Sequence, residues 1–98
     1  MYYPNFYNDM DLDEIQKNIT NEGFNPISFS NKPGDVYRSH SHPETKLLAF
    51  LEGSMDVIVD GKKFSCKKGD KLIILGNIVH SAVVGDQGCR FFWSQKLI

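Results

Sequence analysis

Three histidines, His40, His42 and His80, are the residues of this 98-residue chain whose type and spacing indicate metal chemistry. His40 and His42 are two residues apart, so on a β-strand both imidazoles project to the same face. Imidazoles that point into a protein interior need hydrogen bonds or a cation. His80 can complete a three-nitrogen face that suits Fe(II), Mn, Ni, Cu or Zn. From spacing alone, a polar core or a chance pair is the alternative.

The elements that must position these histidines are predicted to be β-strands. After Gly23, turn signals recur at short intervals and separate runs of strand-forming residues. The runs are Lys46–Leu51, Met55–Val59, Leu72–Leu75, Ala82–Val84 and Arg90–Trp93. About eight strands in roughly 75 residues leave no room for crossover helices, which predicts an antiparallel all-β sandwich or barrel.

The residues before the β region are predicted to form an arm and one short helix. Asp11 is a suitable N-cap for a helix over residues 11–19, and Leu12, Ile15 and Ile19 form one apolar stripe. Gly23 is a plausible helix stop. We therefore divide the chain into residues 1–24, the arm and helix packed on the barrel, and residues 25–98, the barrel itself.

Composition excludes several classes of protein. The net charge is −1, with nine Lys and two Arg, which argues against nucleic-acid binding through phosphate contacts. No apolar run approaches the ~20 residues that cross a bilayer, and the first residues do not resemble a signal peptide. Two cysteines, Cys66 and Cys89, cannot form the disulfide framework of a small secreted domain. We expect a cytoplasmic, single-domain protein.

Residues 34–84 resemble the two motifs of the cupin superfamily. The first motif is matched by Gly34, which is followed after five residues by His40-Ser41-His42, after three more by position 46, and after six more by Gly53. The second motif is represented by Gly69-Asp70, Leu75-Gly76-Asn77, His80 and Val84, where Leu75, Asn77 and Val84 replace the usual Pro, Gly and Asn. The resemblance implies a jelly-roll barrel in which His40, His42 and His80 ligate a divalent transition metal. It says less about activity, because this fold hosts many functions.

Lys46 is the serious departure, because cupins usually have a glutamate ligand there. An ammonium repels the cation that a carboxylate attracts. Four interpretations stay open. Lys46 points away and pairs with Glu44, leaving the metal on three histidines and water. Glu44 serves as the fourth ligand. Lys46 lies in the site and acts on a substrate. The site holds no metal.

Two further residues are candidates for ligand contact. Arg38 shares the strand parity of His40 and His42, so its guanidinium is predicted to reach a carboxylate or phosphate at the rim, or else to extend into solvent. Phe50 lies in an apolar run, some of whose members must line the cavity. Leu47–Leu51 is apolar on both faces, which requires cover from the N-terminal helix or from a second subunit.

The sequence therefore predicts a small cupin, forming a homodimer, whose metal site binds a small anionic or oxygen-rich organic ligand. As an enzyme it would be an oxygenase or isomerase, with Lys46 or Glu44 as the proton-transferring group. The alternative is a non-catalytic binding or sensing module, without metal if Lys46 prevents its binding. A third possibility is a structural dimer unit with a closed cavity.

Overall fold

The computed structural model describes residues 1–97, and Ile98, the last residue of the predicted barrel, lies outside the described residues. One helix, α1 (Leu12–Asn21), and seven strands follow the chain. The strands are β1 (Tyr2–Tyr3), β2 (Ile27–Asn31), β3 (Val36–His40), β4 (Thr45–Val59), β5 (Lys62–Lys67), β6 (Lys71–Ile74) and β7 (His80–Lys96). Within this part of the chain, no helix has the length and apolar character needed to cross a membrane.

The strands form one antiparallel sheet in the order β1-β6-β4-β7-β2, with β3 paired to β7 and β5 paired to β4. The long strands β4 and β7 pair with each other from Thr45↔Lys96 to Val59↔His80 and form the spine of the fold. The prediction of an all-β jelly roll with one short helix is confirmed.

Two of the turns that the sequence predicts, at Glu52-Gly53 and Gly85-Asp86, lie inside these long strands. The Glu52-Gly53 signal belongs to β4, where the register against β7 shifts between Phe50 and Glu52 and again between Gly53 and Met55. Gly53 has φ +72°, and a Cβ there would collide with the carbonyl oxygen of Gly88. The glycine therefore allows a β-bulge that bends a continuous strand, and the two shorter strands predicted around it are one strand.

The helix covers the outer face of β4. Asp11 and Glu14 form a reciprocal capping box at its start, and Gly23, just beyond its end, has φ +90°. Its buried residues Ile15 and Ile19 belong to an outer core cluster completed by Tyr7, Phe24, Leu47, Ala49, Leu51 and Phe92. This packing explains why Leu47–Leu51 is apolar on both faces, because the opposite side chains face the barrel interior.

Candidate metal centre

The ends of two paired strands bring the three histidines together. His40 ends β3, His80 begins β7, and their Cα atoms are register partners. His42 follows β3 directly, and its carbonyl oxygen accepts a 2.5 Å hydrogen bond from the backbone N–H of Asn77. Asn77 has φ +65°, the left-handed conformation that we expect asparagine to tolerate in place of the motif glycine. The turn before His80 is thus attached to the segment that carries the other two histidines.

The imidazoles form a compact cluster. Ring centroids are 4.6 Å apart for His40 and His42, 4.4 Å for His40 and His80, and 5.4 Å for His42 and His80. One ring nitrogen from each residue lies within 4.8 Å of the other two. Nitrogens bound at about 2.1 Å to one ion lie roughly 3 Å apart, so small side-chain rotations bring all three onto a common ion.

Backbone carbonyls orient two of the rings. The Nδ1–H of His80 donates to the carbonyl oxygen of Ile78 at 2.9 Å, and that of His40 donates to the carbonyl oxygen of Arg38. A ring nitrogen next to a carbonyl must carry the proton, so Nε2 keeps its lone pair. Metal-bound histidines are held by outer-shell hydrogen bonds of this type, which fix the tautomer and the ring direction.

The surroundings of His42 and His80 favour their neutral imidazole forms. Burial lowers the pKa of His42, and repulsion by Lys46 lowers it further, while the negative charge of Glu44 opposes the shift. Burial also lowers the pKa of His80, although its hydrogen bond to Ile78 opposes that shift. Neutral imidazole is the metal-binding form, so the donor set fits a divalent transition metal.

Lys46 lies in the same cavity as the histidines, so the interpretation in which it points away and pairs with Glu44 is wrong. Its side chain projects from β4 and is buried. Its Nζ donates to Oε1 of Gln95 and lies 4.3 Å from the ring centroid of Trp93, both on the neighbouring strand β7. Burial lowers the pKa of Lys46, and the negative charge of Glu44 opposes this shift. An amine therefore stands where a cupin usually has its carboxylate ligand.

Glu44 is half-buried and lies outside the group of histidine donors. Within residues 1–97, the metal-ligand group that contains these histidines has no carboxylate member. The structure gives no support to the interpretation in which Glu44 is the fourth ligand.

The structure puts Arg38 and Phe50 elsewhere than predicted. Arg38 is exposed and does not line the cavity, because the register between β3 and β7 shifts between Tyr37 and His40. That irregularity breaks the strand parity on which the prediction depended, and Tyr37 lines the cavity instead. Phe50 is 1% exposed and belongs to the inner core, beside Phe91 rather than on the cavity wall.

The cavity has a volume of about 310 Å³ and a mostly apolar wall. Besides the three histidines and Lys46, its lining consists of Phe29, Tyr37, Leu48, Met55, Val57, Ile74, Ala82, Phe91 and Trp93. Phe29 and Tyr37 were not predicted. The alternation Ile27-Ser28-Phe29-Ser30 is the sequence signal for Phe29, because it is typical of a strand with one apolar face.

The two cysteines contribute no nucleophile to this site. Both side chains are buried, and burial raises the pKa of Cys66 to about 12 and that of Cys89 to about 11. Thiols with such values stay protonated at neutral pH and pack as small apolar core residues.

Three comparisons place these features among known proteins. The family model described as "Cupin domain" matches residues 29–94. Dimethylsulfoniopropionate lyase DddW of Ruegeria pomeroyi is 37% identical over 59 residues, which are 60% of this chain and 39% of that protein. This chain thus spans about two fifths of that relative's length.

Solved structures agree on the fold. KdgF from Halomonas sp. superposes with a TM-score of 0.68 at 18% identity, covering 74% of this chain and 66% of that one. A Bacillus subtilis oxalate decarboxylase studied for its Mn(II) centres superposes with a TM-score of 0.66 at 22% identity, covering 74% of this chain and 21% of that one. At these identities the likeness concerns the fold alone.

Proposed function

The chain belongs to the cupin-domain family, and on that basis we propose that it is a small metal-binding cupin whose cavity takes a small anionic organic ligand. The observation that carries this proposal is the cluster of three imidazoles with ring nitrogens within 4.8 Å of one another. The two oriented rings support ligation by nitrogen alone, and so does the composition of the group, which among the described residues consists of three histidines. Fe, Mn, Ni, Cu and Zn all suit such a set.

His40, His42 and His80 would hold the ion through nitrogen and leave other coordination positions open. When bound, such an ion supplies Lewis-acid polarisation of a ligand oxygen. Lys46 can hold or donate a proton at Nζ, and the apolar wall excludes water from the ligand. Tyr37 lines the wall with its hydroxyl donating to Oδ1 of Asn31 at 2.8 Å, so this ring is held in place.

As an enzyme, the protein would carry out oxygenase or isomerase chemistry, the types implied by the cupin family. The partial match to DddW adds lyase chemistry to these types, because that relative is named a dimethylsulfoniopropionate lyase. In each case Lys46 is the proton-transferring group of this proposal, since Glu44 does not line the cavity.

A metal-free binding module is the second candidate function. The buried ammonium of Lys46 favours it, because a cation at this position weakens binding of a second cation. The two functions differ in whether the histidine cluster binds a divalent ion at all.

Replacing Lys46 by glutamate tests the proposed function. Lys46→Glu removes the repelling charge and adds an oxygen ligand on the cavity wall, so we expect the Kd for Zn(II) to fall about tenfold or more. Isothermal titration of metal-free protein should give one site per chain in the natural sequence and tighter binding in the variant. The exposed Lys68→Glu is the matched charge control and should leave the affinity unchanged. Equal affinity in all three proteins, or no binding in any, would contradict the proposal.

A further inference from the structure

The cavity wall carries one basic side chain besides the imidazoles. Among the described residues that line it, Lys46 is the only lysine, and neither an arginine nor a carboxylate accompanies it. The remaining wall is aliphatic and aromatic apart from the three imidazoles and the Tyr37 hydroxyl. A ligand that fills this space meets one positive charge and a largely apolar surface.

Lys46 lacks the partner that a buried lysine normally has. It is 6% exposed and forms no ion pair within residues 1–97. Lys71 provides the internal comparison: it is 5% exposed, and its Nζ lies 2.7 Å from Oε2 of Glu22. Burying a charge is unfavourable unless it is paired and hydrogen-bonded. The Gln95 amide oxygen and the Trp93 ring are neutral partners. The negative charge of Glu44 acts on Lys46 without forming an ion pair with it, so Lys46 has no directly bound counter-charge among the described residues.

We propose that Lys46 is the anion-binding residue of the cavity and that the ligand is a small monocarboxylate with a compact apolar body. This inference rests on the proposed function for the existence of a ligand, although it does not depend on the metal. The carboxylate supplies the counter-charge that Lys46 lacks and accepts from Nζ, while the apolar body contacts the aliphatic and aromatic wall.

The size and polarity of the cavity restrict the ligand further. Its volume of about 310 Å³ is at the lower end of the range of ligand pockets, which run from roughly 300 to 1,000 Å³. A second carboxylate, a phosphate or the hydroxyls of a sugar would meet too few polar groups on this wall, and burying them without partners is unfavourable. Butanoate and benzoate have the required single charge and apolar body.

The test uses metal-free protein and two-dimensional NMR titrations with benzoate, butanoate, benzamide, succinate and inorganic phosphate. Benzamide is the neutral analogue of benzoate, so comparing the two removes the charge of the ligand without mutating the protein. We expect benzoate to shift the signals of cavity-lining residues and to bind at least tenfold more tightly than benzamide, succinate or phosphate. Equal affinities for benzoate and benzamide, a preference for succinate or phosphate, or no binding of either monocarboxylate would overturn the proposal.

The variant Lys46→Met keeps the length of the side chain and removes its charge. We expect it to bind benzoate at least tenfold more weakly, whereas the exposed Lys68→Met should bind like the natural sequence. Wild-type benzoate affinity in Lys46→Met would overturn the assignment. The benzoate titration contains no metal, so it tests the carboxylate proposal even if the protein binds no metal. The Zn(II) titration contains no carboxylate ligand, so it tests the proposed function even if benzoate does not bind.

Discussion

Replacing His80 by alanine is expected to weaken binding of Zn(II) or Mn(II) by about a hundredfold or more, because it removes one of the three proposed ligands from a group that has no carboxylate member among the described residues. His80 is the ligand to change first, since its Nδ1–H is held by Ile78 and its ring lies 4.4 Å from that of His40. The affinity is measured by competition with a chelator of known strength.

The matched control for this variant is Tyr37→Phe. Tyr37 lines the same cavity without belonging to the histidine group, so the loss of its hydroxyl should leave the metal affinity within about twofold. Circular dichroism and a thermal melt check that His80→Ala remains folded. If the folded variant binds metal as tightly as the natural sequence, the ion is held elsewhere on the protein.

Replacing Asp70 by alanine is expected to lower the free energy of unfolding by about 3–5 kcal/mol, the range for losing one member of a buried charged network. Asp70 is completely buried. Its carboxylate accepts hydrogen bonds from the hydroxyl of Tyr2 at 2.5 Å, the backbone N–H of Asn5 at 2.9 Å and that of Lys67 at 3.0 Å. The residue therefore joins the N-terminal arm to the β5–β6 turn, and its removal leaves three donors without this acceptor.

Urea unfolding of three variants distinguishes the stability lost with the hydrogen bonds of Asp70 from the stability lost by removing any negative charge. Tyr2→Phe removes one donor and should cost about 1.5–3 kcal/mol, the usual value for a hydrogen bond to a charged group. The exposed Asp86→Ala should change stability by less than about 0.5 kcal/mol. A loss below about 1 kcal/mol in Asp70→Ala would mean that the arm and the turn hold together without the carboxylate.

The sequence was sufficient to predict the fold class and the assembly of the three histidines, because both depend on local periodicity and on motif spacing. The helix and its Asp11 cap were predictable for the same reason. Gly53 shows where this reasoning fails: glycine signals both a turn and a bulge, and the choice depends on its close approach to Gly88, which is distant in sequence.

The cavity wall was less predictable than the histidine cluster. Strand parity assigned Arg38 to the wall. The register shift between Tyr37 and His40 breaks that parity, so Tyr37 lines the cavity and Arg38 does not. The position of Lys46 depended on its partners Gln95 and Trp93, about fifty residues along the chain, and local patterns do not identify such partners. The homodimer and the cytoplasmic location stay predictions. The helix already covers the outer face of β4, so the apolar run Leu47–Leu51 no longer requires cover from a second subunit.

Direct metal analysis tests the central claim that the three histidines form a metal site. The protein is purified without a metal-affinity tag, equilibrated separately with Fe(II), Mn(II), Ni(II) and Zn(II), dialysed, and analysed by inductively coupled plasma mass spectrometry. We expect about one equivalent of at least one of these ions per chain, lost in His80→Ala. Less than about a tenth of an equivalent of every ion would contradict the account and leave the metal-free binding module as the function.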